Sequence, residues 1–371
     1  MVTPKEIAQQ LFGLADVKIN GDRPWDLQVH DERLFSRVLG SGNLGLGEGY
    51  MDAWWDAKKV DEFIYKVLSA HLDDQITPWK VALPHIKARV MNRQSKAKAF
   101  EVGEQHYDVG NELYSRMLDT RMVYTCGYWK NANTLDEAQE AKLDLTCRKI
   151  GLKDGMTVLD IGCGWGSFAQ FVAERYGAEV VGITISKEQV KLAQERCAGL
   201  PVEIRLQDYR DIKREQFDRV VSLGMFEHVG YKNYRTFMKV VRDALKDDGL
   251  FLLHTIGGNK SVKSTNAWIE KYIFPNGMLP SAEQICAAYQ KLFVMEDWHN
   301  FGPDYDKTLM AWFHNFDTAW DDIKDQYSER FYRMWTYYLL SCAGLFRARS
   351  AQLWQIVLAK HGVPEGYQSI R

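Results

Sequence analysis

At 371 residues, with 46% hydrophobic and 26% charged residues and a formal net charge of −2, the chain has room for one large domain and a smaller companion. It is too evenly charged for a chain-wide nucleic-acid binder, so no nucleic-acid partner is expected. Twelve Trp, 18 Tyr and 17 Phe exclude a disordered composition. The six cysteines show no CxxC pair and no Cys/His spacing suited to zinc, which predicts reduced thiols and no metal site. A polar start, and no apolar run of the roughly 18 residues that a span requires, predict neither a signal peptide nor a transmembrane helix and hence a cytoplasmic protein.

In chain order, residues 1–85 read as a small, mostly helical domain, with amphipathic stretches at 4–15 and 61–71 flanking the glycine-rich SGNLGLGEGYMDAWWD (41–56). A basic linker follows at 86–104, where Lys87, Arg89, Arg93, Lys96 and Lys98 occur with no acidic residue among them. The remaining 105–371 is expected to be the catalytic domain. Five short apolar runs, TVLDI, EVVGI, VEIRL, RVVSL and LFLLH, have the length of buried parallel strands. Between them, WGSFAQFVAERYG, SKEQVKLAQERCAG and NYRTFMKVVRDALK repeat apolar residues at three and four, as helices packed on a sheet do. The pattern predicts a doubly wound α/β fold, with FVMED and LWQIV as two further strands.

VLDIGCGWGSF (158–168) places Gly162, Gly164 and Gly166 between a strand and a helix, where bare backbone turns sharply and approaches a ligand. The spacing is GxGxG, since Ser167 stands where a dinucleotide fingerprint has its third glycine. Asp160, two residues before the turn, suits a cationic ligand such as S-adenosylmethionine better than a pyrophosphate. The second strand ends in GITISKEQ, which offers Thr184, Ser186 and Gln189 in place of a ribose-binding acid. Gln207, Asp208 and Tyr209 follow the third strand and are candidates for the adenine, with a solvated loop as the competing reading. Glu227 and His228 lie in MFEHVG after the fourth strand, and His254 is expected at the end of the fifth. HYDVGNELY (106–114) and YTCGYW (124–129) precede the first strand and are suited to cover that rim as a lid.

Taken together, DIGCGWGS, GITIS, QDYRD, GMFEHVG, LLHTIG, KYIFPNG, HNFGPDYDKTLMAW and CAGLFRAR, with LGLGEGYMDAWW near the start, resemble the bacterial cyclopropane-fatty-acyl-phospholipid and mycolic acid cyclopropane synthases. The resemblance covers nearly the whole chain. It implies a Rossmann-like, S-adenosylmethionine-dependent C-methyltransferase that builds cyclopropane rings on unsaturated phospholipid acyl chains. It further implies a bound bicarbonate that takes a proton from a carbocation as the ring closes, with Cys126, Glu227, His254, Ile256 and Tyr305 around it. By the same resemblance Tyr124, Thr125, Gly162, Gly164, Trp165, Thr184 and Gln189 line the cofactor pocket; position 125 is Thr where the family often has Ser. Tyr305 sits in GPDYDKT, expected as a turn before a helix at 306–325, and Cys342 reads as core in an apolar helix.

The acyl double bond lies within a bilayer, so the resemblance also implies peripheral attachment to the inner face of the cell membrane and a homodimer. Tyr50, Trp54 and Trp55 are candidate interfacial anchors, and the basic 87–98 stretch a candidate for anionic head groups. Three rivals stand beside this reading. They are methylation of an olefinic lipid or an amine without ring closure, a lipid-binding module with a relict cofactor fold, and a nicotinamide oxidoreductase, which the glycine spacing disfavours.

Overall fold

The computed structural model describes residues 3–71, 110–213 and 215–371. The basic stretch 87–98, the 86–104 linker and residues 106–109 of the expected lid at 106–114 lie outside the described residues. Contacts divide the chain into two compact units: the described part of Met1–Val90 with Ser264–Pro275 and Tyr305–Ala351, and the described part of Met91–Lys263 with Asn276–Asp304 and Gln352–Arg371. A purely linear division had put 305–351 with everything after 105.

The first unit is mostly helical. Thr3 and Glu6 form a reciprocal cap on the helix Pro4–Leu14. The glycine-rich stretch is itself a helix, Arg33–Met51, kinked at Gly42 with φ 54° and ψ −131°. Its glycines serve packing: a Cβ on Gly47 would lie 2.5 Å from the Trp268 ring and 2.8 Å from Tyr337. A short antiparallel pair, β1 (Gln28–Val29) and β2 (Trp55–Asp56), closes this end. The helix Glu329–Arg347 packs on Val60–Ser69 so closely that a Cβ on Gly344 would stand 2.5 Å from the Asp61 carbonyl oxygen. Arg347 fastens that contact, 2.7 Å from Asp61, 3.0 Å from Glu62 and 2.9 Å from Asp306. This packing is why 305–351 belongs here, a long-range fact invisible to a strand count.

The expectation that Tyr50 and Trp55 anchor to a lipid surface is corrected. Trp55 is fully buried and donates from Nε1 to the Leu46 carbonyl at 2.9 Å, and the buried Tyr50 ring lies under the Arg333 guanidinium at 4.2 Å. Both are core residues of this unit. Trp54 is half-buried and carries the guanidinium groups of Arg33 and Arg37, each 4.7 Å from a ring centroid.

The second unit holds a seven-stranded sheet of β3 (Thr157–Ile161), β4 (Glu179–Thr184), β5 (Val202–Leu206), β6 (Phe217–Leu223), β7 (Leu245–Gly258), β8 (Val294–Asn300) and β9 (Ala351–Ala359). Their order is β5-β4-β3-β6-β7-β9-β8. The pairs among β3 to β7 are parallel, and β8 is antiparallel to β9. All seven expected strands are present, with the expected helices as Ser167–Tyr176, Lys187–Arg196 and Tyr234–Ala244. From β3 the chain winds outward through β4 and β5, then returns to place β6 on β3's other side, so the winding reverses between β3 and β6. Alternation along the strands makes two cores. Leu159, Ile161, Val220, Phe251, Leu253 and Ile356 face the helices Tyr234–Ala244 and Ala282–Tyr289. Val158, Val221, Leu252 and Val357 face Leu135–Lys149 and Ser167–Tyr176. Among the described residues no helix is long and apolar enough to cross a membrane.

Candidate functional site

Open α/β sheets bind ligands where the winding reverses, and three segments meet there. Gly162, Gly164 and Gly166 all take left-handed φ values of 86°, 55° and 78°. A Cβ on Gly162 would meet Met225 at 2.6 Å, and one on Gly224 would meet Thr125 at 2.6 Å, whereas one on Gly164 would have no other described residue within 4 Å beyond its chain neighbours. The turn after β3, the turn after β6 and Thr125 are therefore in contact, with bare backbone at Gly164 open for a ligand.

Asp160 stands at the foot of this turn, about 1% exposed, and both carboxylate oxygens are buried without a hydrogen-bond partner among the described residues. Burial pushes its carboxyl up to about 7, against a smaller downward pull from Lys142. A buried carboxylate ionises readily only with a counter-charge beside it. Trp165 is buried, donates from Nε1 to Asn111 Oδ1 at 3.1 Å and has its ring 4.9 Å from Tyr114. Tyr124 also packs on Tyr114, at 5.1 Å. The described part of the expected lid, 110–114, touches the glycine turn at Trp165 through Asn111 and Tyr114.

At the ends of β4 and β5 the candidate side chains are partly committed locally. The Thr184 hydroxyl donates to Gln189 Oε1 at 2.8 Å, while Ser186 caps the helix Lys187–Arg196 by accepting from Gln189 N at 3.3 Å. Asp208 binds Arg210 Nε at 2.8 Å. Gln207 is half-buried, and Tyr209 is buried with its ring 5.3 Å from Phe237, inside the core.

Glu227 and Ile256 are hydrogen-bonded, and His254 stands two residues before Ile256 on β7. Glu227 Oε1 accepts from the Ile256 backbone N–H at 2.7 Å, and Oε2 is buried without a hydrogen-bond partner among the described residues. Burial raises the Glu227 carboxyl to about 7. Ile256 thus enters through its backbone. His254 does not end its strand, because β7 continues to Gly258; it is level with Leu223, the last residue of β6, and so still lies at that neighbour's rim. It is about 1% exposed, and burial, with Lys142 and Lys149, holds it well below the usual imidazole range. His228 is half-buried, with burial lowering it to about 4. Cys126 is fully buried next to Thr125, and its Sγ donates to the Gly127 carbonyl at 3.1 Å. Tyr305 belongs to the first unit, in the opening turn of the helix Pro303–Ile323 and not in a turn before it, with its ring 4.6 Å from Phe346.

Sequence reasoning missed the layer beneath these residues. The helix Leu135–Lys149 presents Gln139, Lys142, Thr146 and Lys149, at successive spacings of 3, 4 and 3, as a fully buried polar stripe. Gln139 donates to the Thr125 carbonyl at 2.7 Å, and Lys142 Nζ donates to Thr125 Oγ1 at 2.9 Å. Burial lowers Lys142 and Lys149 to about 8 each. Charged residues on the other faces of this helix, among them Asp136, Glu140 and Arg148, hide the stripe from any periodicity argument. Gln355 was legible in principle, as the lone amide inside the apolar run LWQIV.

The parallel sheet, the glycine turn at its winding reversal and the buried Asp160 are those of an S-adenosylmethionine-dependent methyltransferase. The mycolic acid cyclopropane synthetase family model matches residues 94–356. Over 366 residues the chain is 56% identical to cyclopropane-fatty-acyl-phospholipid synthase of Escherichia coli K12, covering 98% of this chain and 95% of that one. It is 32% identical over 363 residues to sphingolipid C9-methyltransferase of Komagataella phaffii, covering 90% of this chain and 74% of that one. The crystal structure of mycolic acid cyclopropane synthase CmaA1 complexed with SAH and CTAB superposes with a TM-score of 0.65 at 33% identity, covering 70% of this chain and 97% of that one. The chain belongs to the mycolic acid cyclopropane synthetase family.

Proposed function

We propose that this enzyme adds a methylene group to the cis double bond of unsaturated phospholipid acyl chains, closing a cyclopropane ring. The observation that carries this reading is the 56% identity, over nearly the full length of both chains, to the Escherichia coli cyclopropane-fatty-acyl-phospholipid synthase. S-adenosylmethionine supplies an electrophilic methyl group and bicarbonate a base for the proton lost on closure. Asp160 fits the first, since its buried oxygens, without a hydrogen-bond partner among the described residues, suit a ligand ammonium. Gly162, Gly164 and Gly166 admit that ligand to the backbone, with Tyr124, Thr125, Trp165, Thr184 and Gln189 lining its place; Ser186 shapes it through the helix cap. Gln207 and Asp208, with Tyr209 behind them, meet the adenine.

Glu227 and His254 fit the second group. Glu227 Oε2 and His254 Nε2 are both buried without a hydrogen-bond partner among the described residues, and bicarbonate carries both a hydroxyl and acceptor oxygens. Ile256 holds Glu227 in place through its backbone N–H, and Cys126 adds to the polar surroundings. Exclusion of water is the other requirement, because water traps an alkyl cation as an alcohol. The aromatic layer of Tyr114, Tyr124 and Trp165 serves that purpose.

Lipid access is part of the proposal. Residues 1–85 form a lipid-facing domain, and the five basic residues of 87–98 draw the enzyme to anionic head groups at about 1 kcal/mol each. A homodimer on the inner face of the cell membrane doubles that attraction. The likeness to a sphingolipid C9-methyltransferase supports a second reading, methylation of an olefinic lipid without ring closure. Incubation with S-adenosylmethionine and vesicles of cis-monounsaturated phospholipid, followed by mass and proton NMR analysis of the released acyl chains, separates the two. A gain of one CH2 with cyclopropyl protons supports ring closure, and the same gain with olefinic protons retained supports the second reading.

A further inference from the structure

A chain of hydrogen bonds leads from the helix Leu135–Lys149 to the ring of His254, and its donors and acceptors are forced in turn. Thr146 Oγ1 donates to the Lys142 carbonyl at 2.9 Å. With its proton engaged there, the Thr146 oxygen is left to accept, so the end of Gln355 that lies 3.1 Å away must be the NH2 group. The same Nε2 lies 3.4 Å from His254 Nδ1. An amide NH2 only donates, so Nδ1 must present its lone pair. A neutral imidazole has one proton, which must then sit on Nε2. The ring is neutral, because burial and the nearby cations of Lys142 and Lys149 disfavour the imidazolium. Nε2 is the ring atom without a hydrogen-bond partner among the described residues. Alternation along β7 and β9 puts His254 and Gln355 on the sheet face that the stripe-bearing helix covers.

We propose that Gln355, oriented by Thr146, is a positioning residue that fixes His254 in the Nε2–H tautomer. The site thereby gains a hydrogen-bond donor in addition to the acceptor oxygen of Glu227. This rests on the ring-closing reading for its catalytic consequence, though not for the tautomer itself. A donor and an acceptor side by side can orient a small oxyanion that is also a hydroxyl donor; two acceptors would repel it. Sequence spacing gives no hint of this, since Thr146, His254 and Gln355 are far apart along the chain.

The test is a long-range proton–nitrogen NMR spectrum of the full chain labelled with 15N-histidine, with the His254 signals identified by their loss in His254→Asn. The expected spectrum shows a proton on Nε2 and a bare Nδ1. In Gln355→Glu the side chain can only accept, and the proton is expected to move to Nδ1. Ring formation by that variant should fall about 100-fold in kcat, while KM for S-adenosylmethionine stays within about threefold. Gln355→Leu, which removes the constraint without reversing it, should give a mixed tautomer and a smaller loss. A wild-type spectrum with the proton on Nδ1 overturns the proposal even if no variant folds, and so does Gln355→Glu with an unchanged tautomer or unchanged kcat. If the wild-type chain forms no cyclopropane yet shows the Nε2–H tautomer, the functional reading fails and the tautomer assignment stands.

Discussion

Asp26 in the first unit and Asp160 in the second are each about 1% exposed, yet they are buried in opposite ways. Asp26 is held by the Arg23 guanidinium at 2.8 Å and by the backbone N–H groups of Lys18 at 2.8 Å and Arg23 at 3.0 Å. Arg23 is the main reason its carboxyl lies down at about 2. Asp160 has no hydrogen-bond partner among the described residues and is pushed up to about 7. The contrast extends to the surroundings. Arg347 in the first unit grips three carboxylates, whereas Glu227 in the second keeps one buried oxygen without a partner among the described residues. A buried charge that is fully satisfied holds a fold together, and one that is not is held ready for something that binds.

Breaking the site should have the largest effect. Glu227→Gln keeps the shape and removes the carboxylate, and ring formation should fall at least about 100-fold with S-adenosylmethionine affinity little changed, as measured by product assay and calorimetry. Breaking the satisfied carboxylate should act on stability alone. Asp26→Asn should cost about 2–3 kcal/mol, read as a lower denaturation midpoint, with cofactor affinity unchanged. Because its folded pKa is depressed, Asp26's contribution is complete above the ordinary carboxyl value of 3.8 and is lost as pH falls through about 2. Gly344→Val should cost about 1–3 kcal/mol through overpacking, since its Cβ would stand 2.5 Å from the Asp61 carbonyl oxygen. The smallest effect is expected at Cys342, a half-buried thiol whose burial pushes it up to about 12. Cys342→Ala should leave the rate within about twofold, because a thiol this reluctant to ionise is no nucleophile.

The sheet was legible because buried parallel strands are short apolar runs, and β3 to β7 each contain one. The glycine turn was legible because its spacing is local, and Asp160 because it stands two residues away. The helix at Arg33–Met51 was hidden by its glycines, which ordinarily break helices and here let Trp268 and Tyr337 approach. Tyr50 and Trp55 look like interfacial anchors in the sequence and are core residues in the fold, since an aromatic pair carries no local mark of which side faces water. The polar stripe of Gln139, Lys142, Thr146 and Lys149 was hidden because the helix is charged on its other faces as well. Its meaning exists only in what it touches, the Thr125 hydroxyl and the Gln355 amide.

The central claim, that Asp160 is buried without a hydrogen-bond partner among the described residues in order to receive the cofactor's positive charge, is tested most directly by thermal melts of the wild type and Asp160→Asn between pH 4 and 8, with and without S-adenosylmethionine. In the unfolded chain this carboxyl loses its proton near 3.8, whereas the folded one keeps it until about 7. The free wild type should therefore lose stability as pH rises across that window, by a few kcal/mol at most. Asp160→Asn should be more stable than the wild type near neutral pH and should gain far less from the cofactor. A variant that melts no higher than the wild type and gains as much from S-adenosylmethionine would contradict the claim.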